Sequence, residues 1–459
     1  MRLIAGARRR LATAIALLSL ATPLAVGCSG RDAPSTSVLL ITIDTCRDDH
    51  VGAARGGGSL TPSIDELAAE GRRVRVAVSP SCFTAPAMTS LATGVYPETH
   101  GVLQWGIDGA SYGRPGLGAR FRAAGYATAF VSGHGGLAPI LPLTSGFDFV
   151  RDLRDEPAPA VTRLAVEWLE RTRRDRPNAP VFLWVHYFDP HSPYSPPEPF
   201  ARSVLGGEPF ERWVKETLPR LAKDERDRAL EALYAGEVRA VDRAIGDLLP
   251  AVRRVLPRER LVVALTADHG ENLSDHEPNY AHHDVLYDSL VRVPLVLAGP
   301  GARELPLDSD VPVETLRLAP TLLDLAGIEY APGEYVQPSL LGGAGNGFAY
   351  CHSGFQDAPH AALRSAAAKV VVDLATGRKE AFDLIADPEE RRPLDPEASA
   401  SFRDLSRGLD ELRREMTARA PVADAASALP DDLRSYLESL GYLRRAIPAA
   451  APAERTENK

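Results

Sequence analysis

The chain has 459 residues and a formal net charge of −9, from 52 lysines and arginines against 61 aspartates and glutamates. This length can bury a large core, and it predicts one large domain with a smaller one. The acidic balance, with few lysines beside the arginines, argues against nucleic acid as a partner.

The N-terminus predicts export from the cytoplasm. An arginine-rich stretch within residues 1–10 precedes an apolar run, and small residues lead to Cys28. This order resembles a bacterial lipoprotein signal with Cys28 as the lipidated first residue of the mature chain, although Ala25 stands where leucine is more usual. We therefore expect a membrane-anchored lipoprotein outside the cytoplasm, in the periplasm or at the outer membrane. An ordinary signal peptide or an uncleaved anchor is the alternative.

Three apolar runs without alternation predict strands that are buried on both faces of a parallel sheet. Each run ends on residues that can bind a cation or a substrate. The runs and their ends are residues 38–43 with Asp44, residues 181–185 with His186, Asp189 and His191, and residues 261–267 with Asp268 and His269. Because ligands bind beyond the carboxyl ends of parallel strands, these groups are expected to converge in one crevice. The pattern favours a metal or catalytic site over a set of solvated turns.

Strands and helices alternate along most of the chain. Helical patterns at residues 64–69, 86–92 and 115–124 and a strand at 127–131 indicate a doubly wound α/β domain. Beyond about residue 345 the pattern changes to a small α+β domain. Its predicted elements are hairpin strands at 369–373 and 381–384 and helices at 399–418 and 431–439. The expected organisation is a signal at residues 1–27, a tether at 28–37, a large domain at 38–345, a small antiparallel-sheet domain at 346–445 and a disordered tail at 446–459.

Three further cysteines, Cys46, Cys82 and Cys351, have a spacing that fits no zinc motif. In an oxidising compartment an odd number leaves at least one thiol free. A disulfide between Cys46 and Cys82 is one interpretation. Burial as small apolar side chains is the other.

A series of short segments follows in a fixed order along the chain. They are Ile43-Asp-Thr-Cys-Arg-Asp-Asp-His-Val-Gly52, Thr61-Pro-Ser-Ile-Asp-Glu-Leu-Ala68, Thr84-Ala-Pro-Ala-Met-Thr-Ser-Leu-Ala-Thr-Gly94, Tyr96-Pro-Glu-Thr-His-Gly101, His186-Tyr-Phe-Asp-Pro-His-Ser-Pro-Tyr194, Ala267-Asp-His-Gly-Glu271, Arg292-Val-Pro-Leu295, Phe382-Asp-Leu-Ile-Ala-Asp-Pro388 and Leu440-Gly-Tyr-Leu443. Each segment alone is weak evidence for a family, but the ordered set resembles the successive motifs of the sulfatase family.

The resemblance implies the α/β fold of the alkaline-phosphatase superfamily, with a large mixed sheet between helices and a small C-terminal α+β domain. It also implies one divalent cation held by Asp44, Thr84, Asp268 and His269. Three oxygen ligands and one imidazole, without a thiolate, suit a hard or borderline ion. Calcium is usual in sulfatases, whereas Mn²⁺ or Zn²⁺ is usual in relatives with a threonine nucleophile.

Thr84 stands at the nucleophile position of the family motif. In sulfatases this residue is a cysteine or serine, followed by any residue, Pro, Ser and Arg, and it is oxidised to formylglycine. Threonine is not a formylglycine precursor, and Cys82 cannot replace it because Pro86 stands where the motif would then require arginine. The resemblance therefore implies a sulfatase-like subgroup with a threonine nucleophile and no formylglycine. Pro86 in a first helical turn puts Thr84 at or just before the N-cap, where free N–H groups favour an oxyanion. A simple helix cap is the alternative.

The chain departs from the family pattern at three places around the expected site. Ala87-Met88 replaces Ser-Arg, Gly133-His134-Gly135 replaces Lys-Trp-His, and Thr45 replaces the second aspartate of a pair. Positive charge for an anionic substrate must then come from the cation, from His191 and from His283. His134 is a further candidate.

The histidines divide into expected catalytic and expected structural residues. By resemblance, His191 contacts the substrate or protonates the leaving group, and His283 takes the place of a family Lys or His. We interpret His100, His186 and His282 as structural or exposed. Glu271, Asp275 and Asp49 are expected to orient loops and ligands around the site.

Two functions follow as expectations. The first is a metal-dependent hydrolase or transferase of sulfate or phosphate esters that uses Thr84 covalently, with phosphate esters favoured because formylglycine cannot form. The expected substrate is a small-molecule or glycan ester. The second is a catalytically inactive sulfatase-like lipoprotein that binds a polyanion or glycan.

Overall fold

The computed structural model of the protein describes residues 36–52, 58–103, 113–277, 280, 285–307, 310–343, 345–353, 359–419, 432 and 435. Several expectations therefore lie outside the described residues. They are those for Cys28, His282, His283, most of the helix at 431–439 and the tail at 446–459.

The strands form three sheets. In chain order they are β1 Ser37–Ile43, β2 Arg72–Arg73, β3 Ala77–Val78, β4 Ala127–Ser132, β5 Phe149–Asp152, β6 Val181–Tyr187, β7 Leu261–Ala267, β8 Arg292–Val293, β9 Leu295–Ala298, β10 Val313–Glu314, β11 Ala349–His352, β12 His360–Arg364, β13 Ala368–Asp373 and β14 Lys379–Asp383. The central sheet has the order β2-β9-β7-β1-β6-β4-β5, in which β9 is antiparallel to its neighbours and the five strands from β7 to β5 are parallel. A short sheet has the order β10-β3-β8, and β11 to β14 form an antiparallel sheet.

Two groups of helices flank the central sheet. The helices are α1 Pro62–Glu70, α2 Thr84–Thr93, α3 Pro97–His100, α4 Leu117–Ala123, α5 Leu141–Thr144, α6 Ala158–Asp175, α7 Arg202–Leu205, α8 Phe210–Arg212, α9 Lys223–Val255, α10 Asp288–Val291, α11 Leu318–Ala326 and α12 Ala400–Arg419. In one group α6 packs on α9, β4 and β6, and in the other α2 packs on α4 and α11. Among the described helices, none is both long and apolar enough to cross a membrane.

The central strands are buried along their whole length. All seven residues of β1, β6 and β7 are inaccessible or nearly so, which is why these runs lack an alternating polar face. The parallel register places Ile43 opposite Ala267 and Thr42 opposite His186. The residues that follow or end these three strands therefore meet at one edge of the sheet.

The small C-terminal sheet confirms the predicted fold class. β13 and β14 form the expected antiparallel hairpin, and α12 packs on β12 and β13. The sequence analysis missed β11 and β12, which are short and rich in alanine. The boundary at residue 345 stays a prediction.

Of the two interpretations of Cys46 and Cys82, the disulfide is wrong. Within the described residues Cys46, Cys82 and Cys351 form no disulfide, and all three are buried. Cys46 packs in the core around the central sheet, whereas Cys82 and Cys351 pack in a separate apolar cluster beside the C-terminal sheet. Burial as apolar side chains is therefore the correct interpretation.

Glu237 in α9 is expected to make the stability of the protein depend on pH. It is only 4% exposed, and burial together with nearby Asp189 raises its pKa to about 9 from 4.5. The folded state keeps a proton that the unfolded state loses, so stability falls as pH rises from about 4.5 to about 9. We expect Glu237→Gln to raise the free energy of unfolding by roughly 1–3 kcal/mol at pH 7.

Calorimetry between pH 4.5 and pH 9 tests this expectation. The gain of Glu237→Gln over wild type should grow with pH, while Glu225→Gln, an exposed change on the same helix, should show no such trend. A gain that is constant across this range would contradict the assignment.

Candidate active site

Asp44 and Asp268 emerge side by side at the carboxyl edge of the sheet. They directly follow Ile43 and Ala267, which are paired residues of β1 and β7, and both carboxylates are buried. The backbone N–H groups of Thr45 and His269 donate to Asp268 Oδ1 at 3.1 and 2.7 Å. These two bonds fix the Asp268 carboxylate beside Asp44.

Thr45 connects the two carboxylates through an unusual backbone conformation. Its φ of 50° lies in the left-handed region, which β-branched residues rarely adopt. Besides its bond to Asp268, its carbonyl accepts a 2.7 Å hydrogen bond from the Tyr234 hydroxyl. Strained backbone that the surroundings hold in place is typical of functional sites. Thr45 thus acts on the site through its backbone.

Thr84 lies at the first residue of α2, with Phe83 as the N-cap. The predicted cap position is therefore one residue off, while Pro86 does lie in the first turn. The buried Thr84 hydroxyl is 3.2 Å from Nε2 of His269, and His269 Nδ1 is 2.8 Å from the Gly270 carbonyl oxygen. Because a helix start carries free N–H groups, the Thr84 hydroxyl sits where negative charge is favoured.

The structure also places His186 in this cluster, a residue that the sequence analysis assigned to a structural role. Its Nε2 lies 3.6 Å from Asp44 Oδ2, and His269 Nε2 lies 3.9 Å from Asp44 Oδ1. The hydroxyl of Thr42 lies 2.9 Å from His186 Nδ1 and accepts a hydrogen bond from Trp184 Nε1 at 2.9 Å. His186 was detectable in the sequence, because it ends an apolar run as Asp44 does.

The donor set fits a divalent cation. Candidate ligand atoms of Asp44, His186 and Asp268 all lie within 4.8 Å of one another. Within the described residues, both oxygens of Asp44, Oδ2 of Asp268 and Nε2 of His186 make no hydrogen bond. Burial, then the charges of Asp268 and Glu271, raise the pKa of Asp44 well above its usual value. Buried carboxylates without donors are costly unless a cation compensates them.

His191 and His134 form the second part of the site. His191 stacks on Phe188 with ring centroids 4.8 Å apart, and its ring centroid is 6.4 Å from that of His134. Burial, followed by the proximity of His191, His186 and His269, lowers the pKa of His134 well below its usual value. This direction favours the neutral imidazole of His134, and its role at the substrate site stays a prediction. His283 lies outside the described residues.

Arg47 organises the loops around the carboxylates, a role that the sequence analysis missed. Its guanidinium donates to the Glu271 carbonyl at 3.0 Å and to Asp49 Oδ1 at 2.9 Å, and it also pairs with Asp275. These contacts agree with the expected supporting role of the three acidic residues. His100 is structural as expected, because it lies 2.9 Å from Ser90 Oγ and accepts from the Val102 N–H.

The mixed sheet, with two aspartates, two imidazoles and a helix-start threonine at its carboxyl edge, defines a sulfatase-like hydrolase that acts on ester bonds. The Sulfatase family model matches residues 36–328. The chain belongs to the sulfatase family, within the alkaline-phosphatase superfamily.

Known relatives agree with this classification. The chain is 26% identical to the uncharacterized sulfatase YidJ of Escherichia coli strain K12, over 88% of this chain and 87% of that protein. A 2-O GAG sulfatase has a similar fold, with a TM-score of 0.65 and 21% identity over 85% of this chain and 95% of that one. A phosphonate monoester hydrolase from Silicibacter pomeroyi superposes with a TM-score of 0.63 and 20% identity, covering 84% of this chain and 96% of that chain.

Proposed function

We propose that the protein cleaves ester bonds in two steps through a covalent intermediate on Thr84, and that it prefers phosphate esters to sulfate esters. The observation that carries this proposal is the buried Thr84 hydroxyl beside His269, Asp44 and Asp268. Threonine occupies the position at which formylglycine sulfatases carry a cysteine or serine. The chain therefore needs a different route to release its intermediate.

The chemistry of release separates the two ester classes. A formylglycine hydrate releases sulfate by collapsing to an aldehyde, which leaves the S–O bond intact. A sulfated threonine has no such exit and needs attack at sulfur. A phosphothreonine is resolved by in-line attack of water or an acceptor alcohol on phosphorus, which favours phosphate mono- or diesters.

The residues have distinct roles in the first step. Thr84 reacts as the alkoxide, after its hydroxyl proton has passed to water; its oxygen attacks phosphorus, the bond from phosphorus to the leaving oxygen breaks, and His191 donates a proton to that oxygen. His269 Nε2, 3.2 Å from the Thr84 hydroxyl, orients the nucleophile. His134 lies beside His191 and contributes a neutral polar group to the substrate site.

In the second step, water or an alcohol attacks phosphorus, the bond to Thr84 breaks, and Thr84 leaves as the alkoxide with which the first step began. His191, now deprotonated, accepts the proton of the attacking group. Hydrolysis and transfer differ only in which acceptor enters. We propose His283 as a further substrate contact, on the resemblance alone.

We propose that Asp44, Asp268, His186, His269 and Thr84 hold one divalent cation. When bound, such an ion lowers the pKa of a coordinated hydroxyl and polarises the ester oxygens. Two imidazoles beside two carboxylates favour Zn²⁺ or Mn²⁺ over Ca²⁺, since imidazole suits borderline ions. His186 thereby compensates for the aspartate that Thr45 replaces.

A substrate panel on metal-loaded protein tests the preference. Matched aryl phosphate, phosphodiester and sulfate esters, including sulfated and phosphorylated sugars, are compared by kcat/KM with Zn²⁺, Mn²⁺ or Ca²⁺. We expect faster phosphate cleavage, reduced ~10²–10⁴-fold in His191→Ala. Sulfate cleavage at an equal or higher rate would contradict the preference. Absence of turnover on every ester would favour the alternative of a non-catalytic polyanion or glycan binder.

We also propose that the mature chain is anchored to a membrane through a lipid on Cys28, because a basic, apolar and small-residue sequence precedes it. Cys28→Ser should release the protein from membranes or leave the signal uncleaved. Unchanged fractionation and an unchanged N-terminal mass would exclude the lipid anchor.

A further inference from the structure

The amino ends of the central parallel strands carry a concentration of arginines. Residues 171–176, at the end of α6, contain four arginines and one aspartate, and residues 253–260, from the last turn of α9 to the start of β7, contain four arginines and one glutamate. These two segments therefore have a net charge of +6, whereas the whole chain has a net charge of −9. These two segments are therefore basic within an acidic chain.

The two segments lie on either side of the point where the chain enters the fold. Ser37, the first residue of β1, pairs with Leu261, and its hydroxyl accepts the Val181 N–H at 3.0 Å. Strands β6 and β7 both neighbour β1, so their starts are separated by about two strand spacings, roughly 10 Å. Tyr126, at the start of the neighbouring β4, donates its hydroxyl to the Thr36 carbonyl at 2.7 Å.

Some of these arginines have structural roles and others do not. Arg253 and Arg258 pair with Glu70, and Arg122 and Arg176 both pair with Asp148. Within the described residues four other exposed arginines of the two segments form no ion pair. They are Arg171, Arg174, Arg254 and Arg260. Basic residues in a last helical turn stabilise the helix end, and Arg174 and Arg254 lie in the last turns of α6 and α9. Arg171 and Arg260 lie outside these turns, so neither an ion pair nor helix-end stabilisation accounts for their charges.

We propose that this arginine face, formed by residues 171–176, residues 253–260 and Arg122, binds the anionic phospholipid headgroups of a membrane surface. Arginines near such a surface each strengthen binding about fivefold. Thr36 lies eight residues after Cys28, a stretch of at most about 29 Å when fully extended. A lipid on Cys28, which is itself a proposal, would hold the chain where this face meets the bilayer.

If the arginine face meets the membrane, the active site lies on the side of the molecule away from it. Ser37 starts β1 at the arginine face and Asp44 follows its other end, seven residues later. At ~3.3 Å per residue the carboxyl edge lies roughly 20 Å or more beyond the face. The site with Asp44 and Asp268 therefore points away from the membrane, toward water-soluble esters.

Vesicle binding of two charge-reversed variants tests the proposal. The first is Arg174→Glu/Arg254→Glu/Arg260→Glu. The matched control is Arg212→Glu/Arg220→Glu/Arg228→Glu, with the same charge change at exposed positions around the opposite end of α9. Both are made in the full-length chain, so any contribution of the N-terminal segment is identical. Vesicles are phosphatidylcholine alone or with about 30% phosphatidylglycerol.

On anionic vesicles we expect the first variant to bind on the order of 100-fold more weakly than the control, with the difference absent on neutral vesicles and lost in high salt. Hydrolysis of a soluble aryl ester should be unchanged in both, which shows that the site is intact. Equal binding of the two variants would overturn the proposal. So would a defect of the first variant confined to a soluble polyanion such as dextran sulfate, because the face would then bind polysaccharide.

Discussion

Replacing Thr84 by alanine is expected to abolish ester cleavage, with a loss of kcat/KM of roughly 10⁴-fold or more. The side chain is buried at the start of α2, and its hydroxyl is 3.2 Å from His269 Nε2. Two other hydroxyl residues have different contacts, since Thr45 meets Asp268 through its backbone N–H and the Ser90 hydroxyl contacts His100. The variant should also fail to trap a covalent phosphoryl group.

The matched change is Thr84→Ser, which keeps the hydroxyl and removes only a methyl group. It should retain measurable turnover and a trappable intermediate, detectable as added mass on the peptide that begins α2. Activity of Thr84→Ala close to that of wild type would show that the nucleophile lies elsewhere. Loss of activity in both variants, with the fold intact, would indicate that Thr84 acts by packing.

The sequence predicts the central strands well because each strand is a long apolar run that is continuous in the sequence. β7 matches its predicted range at both ends, and β1 differs by one residue, since a continuous apolar run can be buried in only a few ways. β11 and β12 carry little such signal. They become strands because the hairpin of β13 and β14 offers an edge that they can pair with.

Part of the site was predicted because strand ends can be located from the same apolar runs. The positions of Asp44 and Asp268 follow from strand ends, which the sequence reveals. His186 also ends an apolar run and was detectable on that ground. Its partner Thr42, whose hydroxyl lies 2.9 Å from Nδ1, depends on strand register, which is not visible in a single strand. The role of Arg47 depends on loops far apart in the chain, so no local pattern could indicate it.

The two edges of the central sheet carry different kinds of charged side chains. Carboxylates and imidazoles gather at the carboxyl edge, while arginines gather at the amino edge beside the entering chain. An acidic enzyme that handles anionic esters needs a cation at its site to offset its own negative field. We therefore expect both substrate binding and chemistry to depend on the proposed cation site.

Replacing Asp268 by asparagine is accordingly expected to remove the bound cation and to lower kcat/KM by about 10³-fold, because a catalytic metal supplies several kcal/mol to the transition state. Asparagine keeps the shape and can still accept the N–H groups of Thr45 and His269 through its amide oxygen. It removes the charge on Oδ2, which has no hydrogen bond within the described residues.

Without metal, we expect Asp268→Asn to be more stable than the wild type, although its kcat/KM is lower. Burial raises the pKa of Asp268 to about 6 from 3.8, so the metal-free folded state binds a proton more tightly than the unfolded state does. Its stability then falls as pH rises through that interval, and the neutral asparagine escapes the loss. At pH 7.5, metal-free Asp268→Asn should therefore melt above metal-free wild type.

Adding Zn²⁺ or Mn²⁺ should reverse this order, because only the wild type gains binding energy in the folded state. Asp275→Asn, which alters a partner of Arg47 outside the cluster, serves as the control and should keep the metal response. Metal content, melting temperature and kcat/KM are read on the same samples. Equal metal content in wild type and Asp268→Asn would remove Asp268 from the site, whereas lost metal with unchanged turnover would separate the cation from the chemistry and leave Thr84 and His191 to act without it.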